Sequence, residues 1–158
     1  MTRLAVAEME RRLSAALERR GLAEPAETAW AAAWLSACAY PGLAILNEAL
    51  ADDARVHPLV RDSLGLDLAN VSCVFLAPAI IRDVLTHGRA YLRNVRHGLF
   101  LLPFSVRHGL AIGCPVDAAF ALGGERAKNP YGEKLALAAA EGVDVDDATL
   151  ALLEAART

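Results

Sequence analysis

Four histidines and three cysteines are the side chains of this 158-residue chain best suited to move protons or attack electrophiles. Two of the histidines stand in a repeat: Val-Arg-His-Gly-Leu occurs at Val95 to Leu99 and again at Val106 to Leu110. Each copy sets an imidazole beside a glycine and behind an arginine, so a turn there would carry both a proton carrier and a positive charge. His97 and His108 are thus candidate acid–base groups, and Arg96 and Arg107 candidate ligands of an anion. Cys114 precedes Pro115-Val116-Asp117, a candidate helix start. A nucleophilic thiolate is favoured at such a place, which brings in Cys114 and Asp117 as further candidates. The same cysteine reads equally as a small buried residue at a strand end.

A second constellation follows at Gly123-Gly124-Glu125-Arg126-Ala127-Lys128-Asn129-Pro130-Tyr131. Gly123 and Gly124 free the backbone to approach a ligand, Arg126 and Lys128 supply positive charge, and a helix after Asn129 would point amide donors at it. That is the layout of a carboxylate or phosphate site, with Glu125 and Tyr131 on its rim. It is not a Walker loop, because the Gly-Lys-Ser/Thr ending is missing. The other reading is a solvated loop in which Asn129 is an N-cap and Glu125 pairs with Lys128. His97, His108, Cys114 and Asp117 match no compact metal motif, and histidines at the two ends of one strand would stand roughly 20 Å apart. No metal and no cofactor is expected. The expectation is instead that the His-Gly corners and the segment around Arg126 share one concave surface, within a protomer or across a two-fold axis.

The totals narrow the function classes. A net charge of −3 without a long block of like charge argues against a nucleic-acid partner. Hydrophobic content is 55% and mean hydropathy +0.31. Much of that is alanine, and no run of about eighteen apolar residues appears, so no membrane span is expected. The N-terminus is too charged for a secretion signal, which gives a cytoplasmic expectation. Cys38, Cys73 and Cys114 are odd in number and widely spaced, as reduced thiols would be.

These candidates need a scaffold, and the hydrophobic periodicity predicts one. Val6, Met9, Leu13, Ala16 and Leu17 recur at helical steps, and Gly21 ends that helix. Pro25 opens a second helix through Trp30 and Trp34, and a third runs from about Leu43 to Ala51. One or two helical turns are expected over Pro58 to Leu64, then a strand over Leu66 to Leu76, rich in β-branched and aromatic residues. A helix starting at Ala77-Pro78 ends at His87-Gly88. Strands are expected at Ala90 to Val95, Leu99 to Phe104 and Leu110 to Ile112 as an antiparallel meander, with Pro103 marking an edge or a bulge. Pro130 then opens a helix ended by Gly142, and Asp146 or Asp147 caps the last one. The sum is an α+β fold of one domain over residues 1–158: helices over 1–65, a small mostly antiparallel sheet within 66–131, and C-terminal helices over 132–158.

The first three helices resemble the N-terminal region of the malate and L-lactate dehydrogenase-like family, through Leu4 to Glu8, Leu17, Gly21-Leu22, Ala26 to Leu35 and Pro41-Gly42-Leu43. That resemblance implies a catalytic Ser-His-Gly after the second helix. Tyr40-Pro41-Gly42-Leu43 stands there without a histidine, and the string from His97 to Pro103 lies far downstream. No Gly-x-Gly-x-x-Gly follows a strand, so dehydrogenase activity is not expected. The helix pair ending in Trp34-Leu35 is similar to an uncharacterised bacterial domain-of-unknown-function family, a resemblance that implies no chemistry.

Three functions stay open on these grounds. One is binding of a small anionic molecule, with or without an enzymatic reaction. The others are a non-catalytic accessory or assembly subunit, and a thiol enzyme using Cys114. The apolar excess and the proline-bearing strand suggest a homodimer.

Overall fold

The computed structural model describes residues 1–52, 54–110 and 131–155. In chain order the first elements are β1 (Thr2–Leu4), α1 (Val6–Arg19), α2 (Pro25–Ala37), α3 (Gly42–Leu50), β2 (Arg61–Asp62) and β3 (Gly65–Asp67). They are followed by α4 (Cys73–His87), β4 (Leu92–Arg93), a 3-10 helix (Gly98–Leu101) and α5 (Leu102–His108). After the undescribed stretch come α6 (Gly132–Glu141), β5 (Val143–Val145) and α7 (Asp147–Glu154). The architecture is α+β, with one sheet of two strands and one of three among the described residues. Its contacts cluster in two compact units, Met1–Leu50 with Asn129–Thr158, and Ala51–Lys128. No described helix is long and apolar enough to cross a membrane.

In the first unit, α1 buries Met9, Leu13, Ala16 and Leu17 on one face, as the periodicity predicts. Burying each of the larger three contributes about 1.5–3 kcal/mol. Against it packs α2, whose buried Ala29, Ala31, Ala32 and Ala33 leave little side-chain bulk between the helices. Close approach also governs α3: a Cβ on Gly42 would lie 2.4 Å from the Ala32 carbonyl oxygen, so only glycine fits there. Asp146 caps α7, its side chain accepting from the Thr149 amide at 3.0 Å. Arg12 ties α7 back to α1 through a two-point pair with Glu154, at 2.9 and 2.5 Å. Strands β1 and β5, absent from the sequence reading, pair antiparallel with Thr2 opposite Val145. Three residues a side is too short for alternation to announce itself.

The second unit departs more from expectation. Residues 58–64 form no helix: the chain enters β2 and turns through Ser63-Leu64 into β3, with Asp62 opposite Gly65. The Asp62 carboxylate accepts the Leu64 amide at 2.8 Å, a local bond that competes with helix formation. The strand predicted over Leu66 to Leu76 stops at Asp67, and α4 begins at Cys73, four residues ahead of the expected start. Its buried residues Cys73, Val74, Leu76, Ala77, Ile80, Ile81 and Val84 follow helical spacing, which outweighs β-branching. Pro78, read as a first-turn residue, lies inside the helix. Leu99 to Phe104 is helical rather than extended, with Pro103 in the first turn of α5. An unbroken apolar run does not by itself distinguish a covered strand from a buried helix. Nor is the sheet a meander throughout. Strand β2 pairs antiparallel with β3, but β3 and β4 are parallel, so α4 is the crossover of a β-α-β unit.

Candidate functional site

The carboxyl ends of β3 and β4 remain joined beyond the ladder. The Leu68 amide donates to Arg93 O at 2.9 Å, the Asn70 amide to Asn94 O at 3.0 Å and the Cys73 amide to Arg96 O at 2.9 Å. Asp67 fastens the same two loops, accepting from the Ala69 amide at 3.0 Å and from Asn94 Nδ2 at 2.8 Å. The Asn94 bond, followed by the Ala69 amide, holds the Asp67 carboxyl below its ordinary value. His57 reaches the carbonyl of Asp67 through Nε2 at 2.9 Å. The loops turn tightly enough that Ala69, Asn70, Asn94 and His97 all adopt positive φ, between 51° and 60°.

Those turns deliver polar groups to the first turn of α4. Ser72 is fully buried, accepts the Val74 amide on Oγ at 3.1 Å, and shares a 2.7 Å hydrogen bond with His97 Nδ1. Arg96 pairs with the Asp52 carboxylate. Arg55 donates from Nε to the Asp52 carbonyl at 3.2 Å and lays its guanidinium over the Phe75 ring, 5.5 Å from the centroid. Among the described residues, two arginines, one aspartate, an imidazole and an aromatic ring thus meet at this corner. The helix amides themselves are committed: Cys73 N to Arg96 O, Val74 N to Ser72 Oγ, and Phe75 N to Ser72 O at 3.0 Å. Any anion held here would therefore rely on arginine rather than on the end of the helix. Beyond Asp52, the Arg96 side chain has no hydrogen-bond partner among the described residues, and it is 39% exposed.

Arg96 and His97 stand together at this corner, and Arg107 and His108 do not join them. The second pair occupies the last turn of α5, exposed, with Arg107 5.2 Å from the centroid of the Phe104 ring. Residues 98–108 between the two His-Gly corners are helical throughout, and a rod of that length separates its ends by on the order of 15 Å. Cys114, Asp117, Gly123, Gly124, Glu125, Arg126, Lys128 and Asn129 lie outside the described residues. Among those described, no group of three or more His, Cys, Asp or Glu could hold a metal ion. Sequence reasoning missed Asp52, Arg55, Ser72 and Phe75. Only Ser72 carried a signal, as a serine just ahead of a helical apolar pattern.

Tyr131 sits elsewhere, buried in the first unit with its ring 5.1 Å from Trp34 and 6.2 Å from Tyr40. Lys134 lies beside this cluster, 3.4 Å from the Cys38 carbonyl oxygen. Burial pushes the Cys38 thiol up to about 11, and burial with the Tyr131 hydrogen bond pushes Tyr40 up to about 12. Both are acids whose folded pKa is raised, so their contribution is intact below the ordinary thiol range. It is lost as pH rises through about 9 toward about 11 and 12, because the unfolded chain releases its protons first. Urea midpoints are expected to fall between about pH 8 and about pH 11, and to fall less in Cys38→Ala. A variant with the same slope as wild type would remove Cys38 from the account.

Comparison of the chain with family models, with curated proteins and with solved structures finds no match.

Proposed function

We propose that the chain binds a small oxyanion, a carboxylate or a phosphate, at the corner formed by Arg55, Arg96 and His97. The observation that carries this reading is the convergence of Arg55 and Arg96 on Asp52, beside the first turn of α4 and at the carboxyl ends of two parallel strands. Ligands commonly bind beyond the carboxyl ends of parallel strands in α/β folds, and the Arg96 guanidinium, whose partner among the described residues is Asp52, suits a planar two-oxygen acceptor. Asp52 then acts as an internal stand-in that keeps Arg96 extended until a ligand carboxylate or phosphate shares it. Arg107 and His108 fall outside this reading, and Arg126 and Lys128 lie outside the described residues.

Thermal unfolding with acetate, succinate and inorganic phosphate tests it. An anion at about 100 times its Kd stabilises by about 2.7 kcal/mol, roughly 5–10 °C for a chain of this size. The expected result is such a shift in wild type and its loss in Arg96→Ala and Arg55→Ala, with Arg107→Ala unchanged. An Arg126→Ala variant reports whether the glycine-led segment contributes. Identical responses of wild type and Arg96→Ala, or no response to any of the three anions, would overturn the reading.

A further inference from the structure

We infer that Asp52 is a built-in competitor for the anion corner, which holds Arg96 against monocarboxylates and yields it to phosphate. The inference rests on the anion-binding reading and names the ligand class within it. Asp52 Oδ2 accepts from Arg96 Nη1, and the aspartate and arginine side chains are 24% and 39% exposed. That carboxylate is chemically what acetate would bring. Exchanging one for the other gains no bond, and the internal group is tethered, which gives it an effective concentration on the order of millimolar before any ligand arrives. A phosphate monoester brings more, about −1.5 to −2 units of charge and three strong acceptor oxygens, and it pairs with a guanidinium through two parallel bonds as readily as a carboxylate does.

The fold lets Asp52 yield without dismantling the corner. Arg96 is placed by its backbone: its carbonyl accepts the Cys73 amide at 2.9 Å, and it forms a parallel bridge with Ser72. Asp52 belongs to no helix or strand, and its own carbonyl accepts from Arg55 Nε at 3.2 Å. The carboxylate can therefore swing out while the carbonyl keeps Arg55 where it is. A partly exposed ion pair is a weak bond, so a dianion on Arg96 can part it. Competition of this kind lowers the affinity of every anion by the same factor. Monocarboxylates, the weaker ligands, then fall below useful binding, and phosphate does not. Asp52 acts on the ligand directly, as a rival for one guanidinium.

Calorimetric titration of the full chain with inorganic phosphate and with acetate tests this, at about 0.15 M ionic strength, where charges more than about 8 Å apart are largely screened. The proteins are wild type, Asp52→Asn, which keeps an acceptor for Arg96 but no charge, and Asp52→Ala, which keeps neither. Wild type is expected to bind phosphate at least about tenfold more tightly than acetate. Both variants are expected to bind both anions about tenfold more tightly than wild type, since a like charge no longer stands beside the ligand. Unchanged or weaker phosphate binding in the variants overturns the inference and leaves the oxyanion site standing, with Asp52 as a brace for Arg96. Acetate matching phosphate in wild type overturns it too. Either variant decides the matter if the other does not fold, and the wild-type ratio of the two anions needs neither. Binding of neither anion by any of the three proteins sinks the oxyanion site itself, and the competitor with it.

Discussion

Gly65→Ala is expected to destabilise the second unit by about 3–5 kcal/mol, well beyond what a methyl costs at an uncrowded glycine. Gly65 opens β3 at φ +114°, a conformation L side chains rarely adopt, and strain of that kind costs about 1–3 kcal/mol. The added Cβ would also fall 2.1 Å from the carbonyl oxygen of Tyr91 and 2.9 Å from its carbonyl carbon. These are backbone atoms, and that oxygen already accepts the Leu66 amide at 2.8 Å. Relief therefore means parting β3 from β4 and losing a hydrogen bond worth roughly 1 kcal/mol, besides an overpacking cost of about 1–3 kcal/mol. Gly88→Ala and Gly109→Ala are the controls. Both positions have positive φ, but neither added Cβ meets an atom within 4 Å, so each should cost only about 1 kcal/mol. Urea unfolding of the three variants measures the difference. If Gly65→Ala lost no more than the controls, β3 and β4 would not be held as described, and the corner beyond them would lose its support.

Phe100→Ala is expected to cost about 3–5 kcal/mol. The ring is fully buried, lies 6.3 Å from that of Phe104, and belongs to the 3-10 helix that starts immediately after His97. That 3-10 helix contacts both α4 and α5. Phe100→Leu keeps most of the volume and should lose less than half as much. Calorimetric unfolding of both would show it, and equal losses would mean that the site collapses around either side chain. The role of Phe100 also differs from the one its neighbours in sequence suggest. Read as part of a strand, it would pack on a sheet face; as the third residue of a 3-10 helix it is buried beside Phe104 of α5.

The helices of the first unit were legible because their signals are local. Met9, Leu13 and Leu17 sit at helical steps, Pro25 suits a first turn, and Gly21 and Asp146 end and begin helices by bonds to residues within five positions. In the second unit the local signals conflicted. Val71 to Leu76 has strand-type composition and helical spacing at once, and the decision falls to Ser72, whose cap on the Val74 amide starts a helix. Leu99 to Leu102 offered no alternation and no spacing, so nothing in the run itself chose between strand and helix.

The candidate site was half legible. Arg96 and His97 drew notice through the repeated Val-Arg-His-Gly-Leu, yet the repeat itself proved uninformative, because its second copy ends a helix whose first copy lies before the start. Sequence alone determined the α+β class, the helix periodicities and the residue types available for chemistry, since each depends on neighbours within about one turn. Tertiary structure alone decided that Asp52 meets Arg96 across 44 positions and Ser72 meets His97 across 25. Those meetings require β3 and β4 to run parallel around α4, and the register of two short strands depends on which residues they bury against that helix rather than on any spacing along the chain.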